Sequence, residues 1–173
     1  QTARGPMSAD PQTASVDAAL AHGMQLLARD PALAVEQAQA ILHAASGNPG
    51  ARLLLGMARA ALGEHLAARD VLQALVAEQP QAPRAWLEYG NALAACGDDG
   101  AADAFERALR LQPALPGAWL ALGAALDRLG DRSGAAQAYL SHTRRGTRDA
   151  GLMAAAAALS AGRLPEAEAL LRE

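Results

Sequence analysis

Four histidines and a pair of adjacent aspartates are the side chains of this sequence that could bind a metal ion. The histidines stand at positions 22, 43, 65 and 142, and no two have the spacing of three or four residues that places ligands on one helix face. Residues 98–100, Asp-Asp-Gly, are similar to the start of a calcium loop, but the twelfth position is Leu109 where such a loop needs a carboxylate. The sequence therefore predicts a turn here and no metal site.

The candidate nucleophiles lack the neighbours that catalysis would need. Ser141 and His142 are adjacent in a predicted helix, where successive side chains point apart, and no acid is placed to orient the imidazole. Cys96 lies near a predicted helix end, where a thiol can be activated, but burial as a small apolar residue is the favoured interpretation. A phosphate-binding loop of the P-loop type needs a lysine, and the chain has none. We therefore predict no catalytic site and no cofactor.

The composition indicates an all-α protein. Hydrophobic residues make up 51% of the 173 positions and aromatic residues only 3%, and much of the apolar content is alanine, a strong helix former. A net charge of −3 does not favour binding to nucleic acid or to an anionic membrane. No apolar run is long enough to span a bilayer and residues 1–10 lack a signal core, so a cytoplasmic location is predicted. Every basic residue is arginine, which suggests a GC-rich bacterial gene.

An internal repeat is the most informative feature of the chain. Residues 84–90 match residues 117–123 at a shift of 33, with Trp, a large residue three positions later and then Gly in both segments. A shift of 34 towards the N-terminus aligns Tyr89 and Gly90 with Leu55 and Gly56. Alanine at positions 68, 101 and 135 is followed four residues later by Leu72, Phe105 and Tyr139. A fixed period of this length indicates stacked units that share one core.

This pattern resembles the tetratricopeptide repeat, whose signature is Trp-x2-Leu-Gly-x2-Tyr, then Ala-x3-Phe-x2-Ala and a closing Pro. The resemblance implies a right-handed α-solenoid of about five antiparallel helix pairs. The first repeat has His22 where glycine is usual. Residues 1–14 are assigned to a disordered lead, in which Gly5 and Pro6 are typical of a protease scar left by a tag. The repeats are assigned to residues 15–48, 49–82, 83–115, 116–149 and a shortened, truncated fifth at 150–173.

Glycines inside the repeat predict close helix packing. Gly56, Gly90 and Gly123 fall in the middle of predicted helices, where glycine costs up to about 1 kcal/mol relative to alanine, so a close approach of the second helix must offset that cost. We expect the alanines at 68, 101 and 135 to allow this approach, and the aromatic residues, among them Trp86 and Trp119, to fill the wider gaps as core. The first helix of each pair is expected to end at Gly63, Gly97 and Gly130. Helices are predicted at 18–31, 32–45, 51–62, 67–79, 84–96, 101–112, 117–129, 134–144, 151–161 and 164–172.

In the tetratricopeptide repeat family the first helices line a concave groove, and the resemblance implies which positions meet a ligand. Asn91 is the favoured contact because an amide can both donate to and accept from a peptide backbone; an ordinary solvated helix residue is the alternative. The lysine, arginine and paired asparagines with which some members clamp a C-terminal carboxylate are missing. The positions carried over are Leu53, Met57 and Ala60 in the second repeat, Arg84, Leu87, Glu88, Asn91 and Ala95 in the third, and Leu120, Ala124, Asp127 and Arg128 in the fourth.

Residues 141–149 depart from the repeat because His142 and Thr147, among three arginines, stand where the family usually has an alanine and a closing proline. Arg144, Arg145 and Arg148 could pair with an acidic partner or a neighbouring domain, and a solvated junction is the alternative. This stretch and the residues after it also have a weaker resemblance to bacterial proteins in which such repeats precede a sulfotransferase domain.

Together these observations predict a scaffold that binds a peptide or a neighbouring domain in its groove. Two alternatives stay open: a regulatory or substrate-presenting arm of a larger bacterial enzyme such as a sulfotransferase, and a homo-oligomerisation module. The chain ends within a predicted helix and without a polar capping helix, so we also expect a homodimer through the open ends of the solenoid.

Overall fold

The computed structural model describes residues 11–146, 158–164 and 169. In this part of the chain each helix packs on the next one along the sequence, and no strand is present. The all-α solenoid expected from the sequence is confirmed, whereas most of the fifth repeat, predicted at 150–173, lies outside the described residues. The helices are α1 (Pro11–Leu27), α2 (Pro31–Ala44), α3 (Pro49–Ala61), α4 (His65–Glu78), α5 (Pro83–Ala95), α6 (Ala101–Leu111), α7 (Ala118–Arg128) and α8 (Arg132–Gly146).

Capping side chains followed by proline determine where α2 and α3 begin. Asp30 accepts a hydrogen bond from the backbone N–H of Leu33 at 3.2 Å, and Asn48 accepts one from Ala51 at 2.9 Å. Each cap satisfies a donor that the first helical turn would otherwise leave unpaired, and the proline that follows needs no partner for its nitrogen. The cap at Asp30 explains why the first helix does not extend to residue 31 as predicted.

The first helix begins earlier than the sequence indicated. α1 starts at Pro11 and ends at Leu27, so the assignment of residues 11–14 to a disordered lead is wrong. Proline is well suited to the first turn of a helix because its φ is already close to the helical value. The first helical pair therefore starts with a helix of 17 residues, longer than the other first helices.

The three glycines predicted to end first helices do so. Gly63, Gly97 and Gly130 have φ of 79°, 74° and 81°, in the left-handed region that glycine enters without the steric cost of a Cβ atom. Each directly follows the last turn of α3, α5 or α7 and lets the chain reverse towards the second helix of the pair.

Odd-numbered helices lie on the inner side of a curved stack. Cα atoms approach within 8 Å between α1 and α3, between α3 and α5, and between α5 and α7. Among the described helices, no even-numbered helix reaches the next even-numbered one at this distance. Neighbouring repeats are therefore closest along the row of odd helices, and the stack curves towards that row. The odd helices line the concave face, as the family resemblance implies.

The mid-helix glycines permit close packing of the second helix against the first. A Cβ atom added at Gly90 would lie 2.6 Å from the ring of Phe105, and one at Gly123 would lie 2.5 Å from the ring of Tyr139. The predicted close approach is confirmed. The alanines at 68, 101 and 135 are buried, and the large side chain four residues after each of them occupies the space that the missing Cβ leaves.

The first repeat contains a glycine equivalent that the sequence comparison placed one residue away. Gly23 is buried in the middle of α1, and an added Cβ atom there would collide with Leu54 and lie 3.3 Å from Gln37. The shift from Gly23 to Gly56 is 33, whereas a shift of 34 aligns His22. The interpretation that the first repeat lacks its packing glycine is therefore wrong.

Both tryptophans pack as part of the core, and each also joins two repeats. Trp86 donates its indole N–H to the carbonyl of Pro80 at 3.0 Å, and Trp119 donates to the carbonyl of Pro113 at 2.8 Å. The rings are partly buried against the hydrophobic clusters. These bonds satisfy the one polar atom of each indole, so the ring can be placed between helices at little cost.

Candidate interaction groove

The concave face carries apolar side chains that remain open to solvent. Met24 of α1 is 44% exposed and Leu120 of α7 is 49% exposed, while Leu53 and Met57 of α3 are half-buried between them. Small residues separate these larger ones: Ala60, Ala95 and Ala124 are partly or fully exposed. We call this set of residues on the odd helices the groove floor.

Met24 belongs to the groove floor but is absent from the residues predicted to bind. It directly follows Gly23, as Met57 follows Gly56 and Asn91 follows Gly90. The position after each packing glycine therefore lies on the concave side. A shift of 33 between the first two repeats is the sequence signal that identifies Met24.

On α5, three predicted groove residues form one hydrogen-bonded network. The Arg84 guanidinium contacts a carboxylate oxygen of Glu88 at 2.7 Å, and the Asn91 side chain donates its N–H to the other oxygen at 3.1 Å. Spacings of four and three residues put these groups on one helix face. The ion pair leaves this part of the groove without net charge. Asn91 is exposed, and its side-chain carbonyl accepts no hydrogen bond from the described residues.

Leu87 is not part of the exposed groove. It is 6% exposed and belongs to the same buried cluster as Phe105 and Leu122. The expectation that it meets a ligand at the surface is wrong, because α7 packs directly beside α5 and covers this position.

Asp127 and Arg128, also predicted for the groove, are exposed but bound to other parts of the protein. Tyr139 of α8 donates its hydroxyl proton to Asp127 at 2.8 Å, and this hydrogen bond raises the pKa of Tyr139 above its usual range. Arg128 donates to the carbonyl of Ala94 at 2.8 Å and to that of Asp98 at 3.4 Å. Its cation thus lies at the C-terminal end of α5, where the helix dipole favours positive charge.

The arginine-rich stretch is only partly within the described residues. Arg145 is exposed and places its guanidinium carbon 5.5 Å from the ring centroid of Trp119, a distance at which a cation is attracted to the aromatic face. Arg144 is exposed on α8. Arg148 lies outside the described residues, so a second contact through these arginines stays a prediction.

The side chains considered for catalysis have ordinary structural partners. The Ser141 hydroxyl donates to the backbone carbonyl of Gln137 at 2.9 Å, one helical turn earlier. Asp98 accepts from the N–H of Gly100 at 2.8 Å, so the residues similar to a calcium loop form the predicted turn. Cys96 is half-buried. The described part of the chain contains no group of three or more His, Cys, Asp or Glu side chains that could hold a metal ion.

Over the ranges that the structure describes, none of the helices combines the length and apolar character that crossing a membrane requires.

The family model of the tetratricopeptide repeat matches residues 25–83, 53–116 and 99–150. Among solved structures, one of MamA is 23% identical, with a TM-score of 0.66 over 87% of this chain and 90% of that chain. A thermophilic TPR protein of Thermus thermophilus is 23% identical, with a TM-score of 0.69 over 91% of this chain and 88% of that one. MamA from Desulfovibrio magneticus, from residue 41 to its end, is 22% identical, with a TM-score of 0.67 over 76% and 75%. No match was found among curated protein sequences.

At these identities the structural similarity shows the fold alone. The family match, in contrast, extends over most of the chain. The comparisons do not show the weaker resemblance to sulfotransferase-linked repeats.

Proposed function

The chain belongs to the tetratricopeptide repeat family, and on that premise we propose that it is a protein-interaction scaffold that binds a peptide or a neighbouring domain on its groove floor. The observation that supports this most strongly is the exposure of Met24 and Leu120 on the concave face. Removing apolar surface from water is favourable by about 25 cal/mol per Å². A partner that covers these side chains therefore gains free energy that the isolated chain does not.

The groove is also suited to a partner rather than to a reaction, so we propose that the chain is not an enzyme. Among the described residues no polar or charged side chain is fully buried, whereas catalytic groups are commonly set in desolvated surroundings that shift their pKa. The charged groups of α5 and α7 are held by partners within the chain. They can orient a bound segment without providing a nucleophile.

Charge substitutions on the exposed floor test the groove. Leu120→Glu and Met24→Glu, made separately, should each reduce the recovery of groove-bound partners from a cell extract by about tenfold, because an unpaired carboxylate in an apolar contact costs more than about 1.4 kcal/mol. Ala77→Glu is the control, since it adds the same charge at an exposed position of the even-numbered helix α4. Recovery is measured by quantitative mass spectrometry of the captured proteins.

The groove variants and the control variant give opposite expectations, so their comparison tests the proposal. Partners lost with both groove variants and kept with Ala77→Glu support the groove. If the Ala77 variant loses the same partners while Leu120→Glu and Met24→Glu retain them, the binding surface is elsewhere and the proposal is wrong. Circular dichroism of each variant checks that the helices are intact.

Self-association through the ends of the solenoid and a cytoplasmic location stay predictions. The family match supports a protein partner, which includes a second copy of this chain. Light scattering over a hundredfold range of concentration tests self-association, and a monomer mass at every concentration would exclude it.

A further inference from the structure

An apolar pocket outside the groove floor lies where α6 meets α7, with Arg145 of α8 beside it. Its volume is about 480 Å³, and its walls include Leu109, Leu122 and the half-buried ring of Trp119. In the described part of the chain the even-numbered helices do not approach one another, so the outer side of the stack stays open between them. None of the described residues that line this pocket belongs to the groove floor. The two surfaces are therefore separate.

The rim of this pocket carries a cation that is positioned by an aromatic ring. The guanidinium carbon of the exposed Arg145 lies 5.5 Å from the ring centroid of Trp119. Arg145 forms no ion pair with any residue in the ranges that the structure describes. Attraction to a ring needs no carboxylate, so the N–H donors of this guanidinium keep their capacity to bind one. Arg145 is therefore placed beside an apolar pocket with its charge uncompensated.

The other charges around the pocket leave this positive charge in excess. Glu106 and Arg110 line the pocket and form an ion pair, with 3.3 Å between Oε2 and Nη1. Arg144, next to Arg145 on α8, is also exposed and forms no ion pair within the described ranges. This side of the chain is therefore locally positive, although the net charge of the whole chain is −3. A carboxylate on a partner complements it, because carboxylates form strong charge-assisted hydrogen bonds with guanidinium groups.

The openness of the pocket to solvent indicates a polypeptide segment as its occupant. Sites for small molecules usually enclose most of the ligand, whereas Glu106, Arg110 and Pro113 are all exposed at this pocket. A closed apolar cavity of about 150 Å³ holds benzene, so about 480 Å³ has room for a large apolar side chain and part of the main chain that carries it. A segment can also continue along the surface beyond the pocket.

We propose that this pocket is a second binding site, for a protein segment that carries a large apolar side chain next to an aspartate or glutamate. The apolar side chain contacts Trp119 and Leu109, and the carboxylate accepts hydrogen bonds from Arg145. Apolar anchors and arginine contacts of this kind commonly supply much of the affinity of an interface. The inference does not depend on the proposed groove function, because it concerns a different surface of the chain and a different occupant.

A displayed library of random dodecapeptides is the probe. It is selected on the immobilised full chain carrying Met24→Glu and Leu120→Glu, so that peptides of the groove floor are not recovered. Enriched peptides should share an aspartate or glutamate beside a large apolar residue. With Arg145→Ala, their Kd should rise at least about fivefold relative to the wild-type chain, because the carboxylate loses its charged partner. Arg132→Ala is the matched control, since it removes an exposed arginine from the other end of α8, about 20 Å away.

The indole N–H signals in an NMR correlation spectrum locate the bound peptide. The chain has two tryptophans, and Trp86→Phe assigns their signals. Titration with an enriched peptide should shift the signal of Trp119, whereas Trp86, the equivalent residue of the preceding repeat, should be unaffected. Replacing the acidic residue of the peptide by asparagine or glutamine should raise Kd as Arg145→Ala does. The two changes together should cost no more than either one alone, as expected for groups in direct contact.

Each other outcome overturns the proposal in a different way. Peptides that bind Arg145→Ala as tightly as the wild-type chain and leave the Trp119 signal unchanged bind elsewhere. If the Trp119 signal shifts but the enriched peptides are uncharged, the acidic occupant is wrong. Strong competition by inorganic phosphate would assign the site to a phosphorylated segment instead. If no peptide is enriched over a blank surface, the site is excluded. None of these results bears on the groove, which the capture experiment tests separately.

Discussion

Replacing Gly90 with alanine tests whether a missing Cβ atom sets the spacing of a helix pair. A Cβ atom at this position would lie 2.6 Å from Cε1 and 2.7 Å from Cδ1 of Phe105, whereas ordinary contact begins at 3.4 Å. The ring would have to move by about 0.8 Å, the difference between 3.4 and 2.6 Å. Phe105 is 1% exposed within the main buried cluster, so its neighbours would have to move as well.

Two opposing free energies decide the result. Overpacking a buried site costs about 1–3 kcal/mol, and alanine in a helix interior is favoured over glycine by about 0.8–1.0 kcal/mol. Since the ring is rigid and enclosed, we expect the steric cost to exceed the helical gain. With a steric cost in the upper part of its range, about 2–3 kcal/mol, the net loss in the free energy of unfolding should be about 1–2 kcal/mol.

Urea denaturation followed by far-UV circular dichroism measures this loss. Gly56→Ala is a parallel test, because the added methyl there would lie 2.6 Å from Cγ of the fully buried Leu72, and a loss of similar size is expected. Combining Gly90→Ala with Phe105→Leu should recover about 1 kcal/mol relative to the sum of the single changes, as expected for residues in direct contact.

An unchanged or increased stability of Gly90→Ala would refute this reasoning, since helix propensity alone would then decide the outcome. Additive effects of Gly90→Ala and Phe105→Leu would also refute it, because they would show that the methyl group and the ring do not meet.

Two further predictions concern a helix cap and a titrating hydroxyl. Asn48→Ala removes the acceptor for the N–H of Ala51. It should lower the free energy of unfolding by about 1 kcal/mol, or Tm by about 2–4 °C in a thermal scan. Glu64→Ala, at a helix start where no side chain forms a capping hydrogen bond, should have a smaller effect in the same scan. Tyr139→Phe removes the hydrogen bond to Asp127 that raises the pKa of Tyr139. The bond requires the protonated phenol. It therefore stabilises the fold below the unfolded pKa of about 10 and is lost as pH rises through the higher folded pKa. In urea titrations, the difference in the free energy of unfolding between wild type and Tyr139→Phe should shrink above a pH of about 10.

Much of the fold could be predicted because the repeat places the same physical requirement at equal intervals. A glycine at 56, 90 and 123 recurs with a large residue one helix later, and that pairing predicts two helices in close contact. What the sequence did not reveal is which atoms meet. The side chains of Ala101 and Phe105 lie on the same helix one turn apart, and only the rotation of α6 about its axis decides which of them faces Gly90.

The groove was harder to predict than the helices because it depends on contacts between repeats. Nothing local distinguishes Leu87, which is buried, from Leu120, which is exposed; Leu87 packs in one cluster with Phe105 and Leu122, which come from later helices. Arg128 was predicted to face a ligand, but its long side chain reaches carbonyls of the preceding repeat. The distance from this side chain to the preceding repeat depends on the curvature of the stack, which a single repeat does not encode.

Several polar bonds that join neighbouring repeats have a common direction along the chain. The donors Trp86, Trp119 and Arg128 all come later in the sequence than the carbonyls that they bind, at Pro80, Pro113 and Ala94. The ribosome synthesises the N-terminal part first, so these carbonyls stay hydrated until the following repeat has emerged and docked. In the third and fourth repeats, the polar bonding of one repeat is therefore completed only by the repeat that follows it.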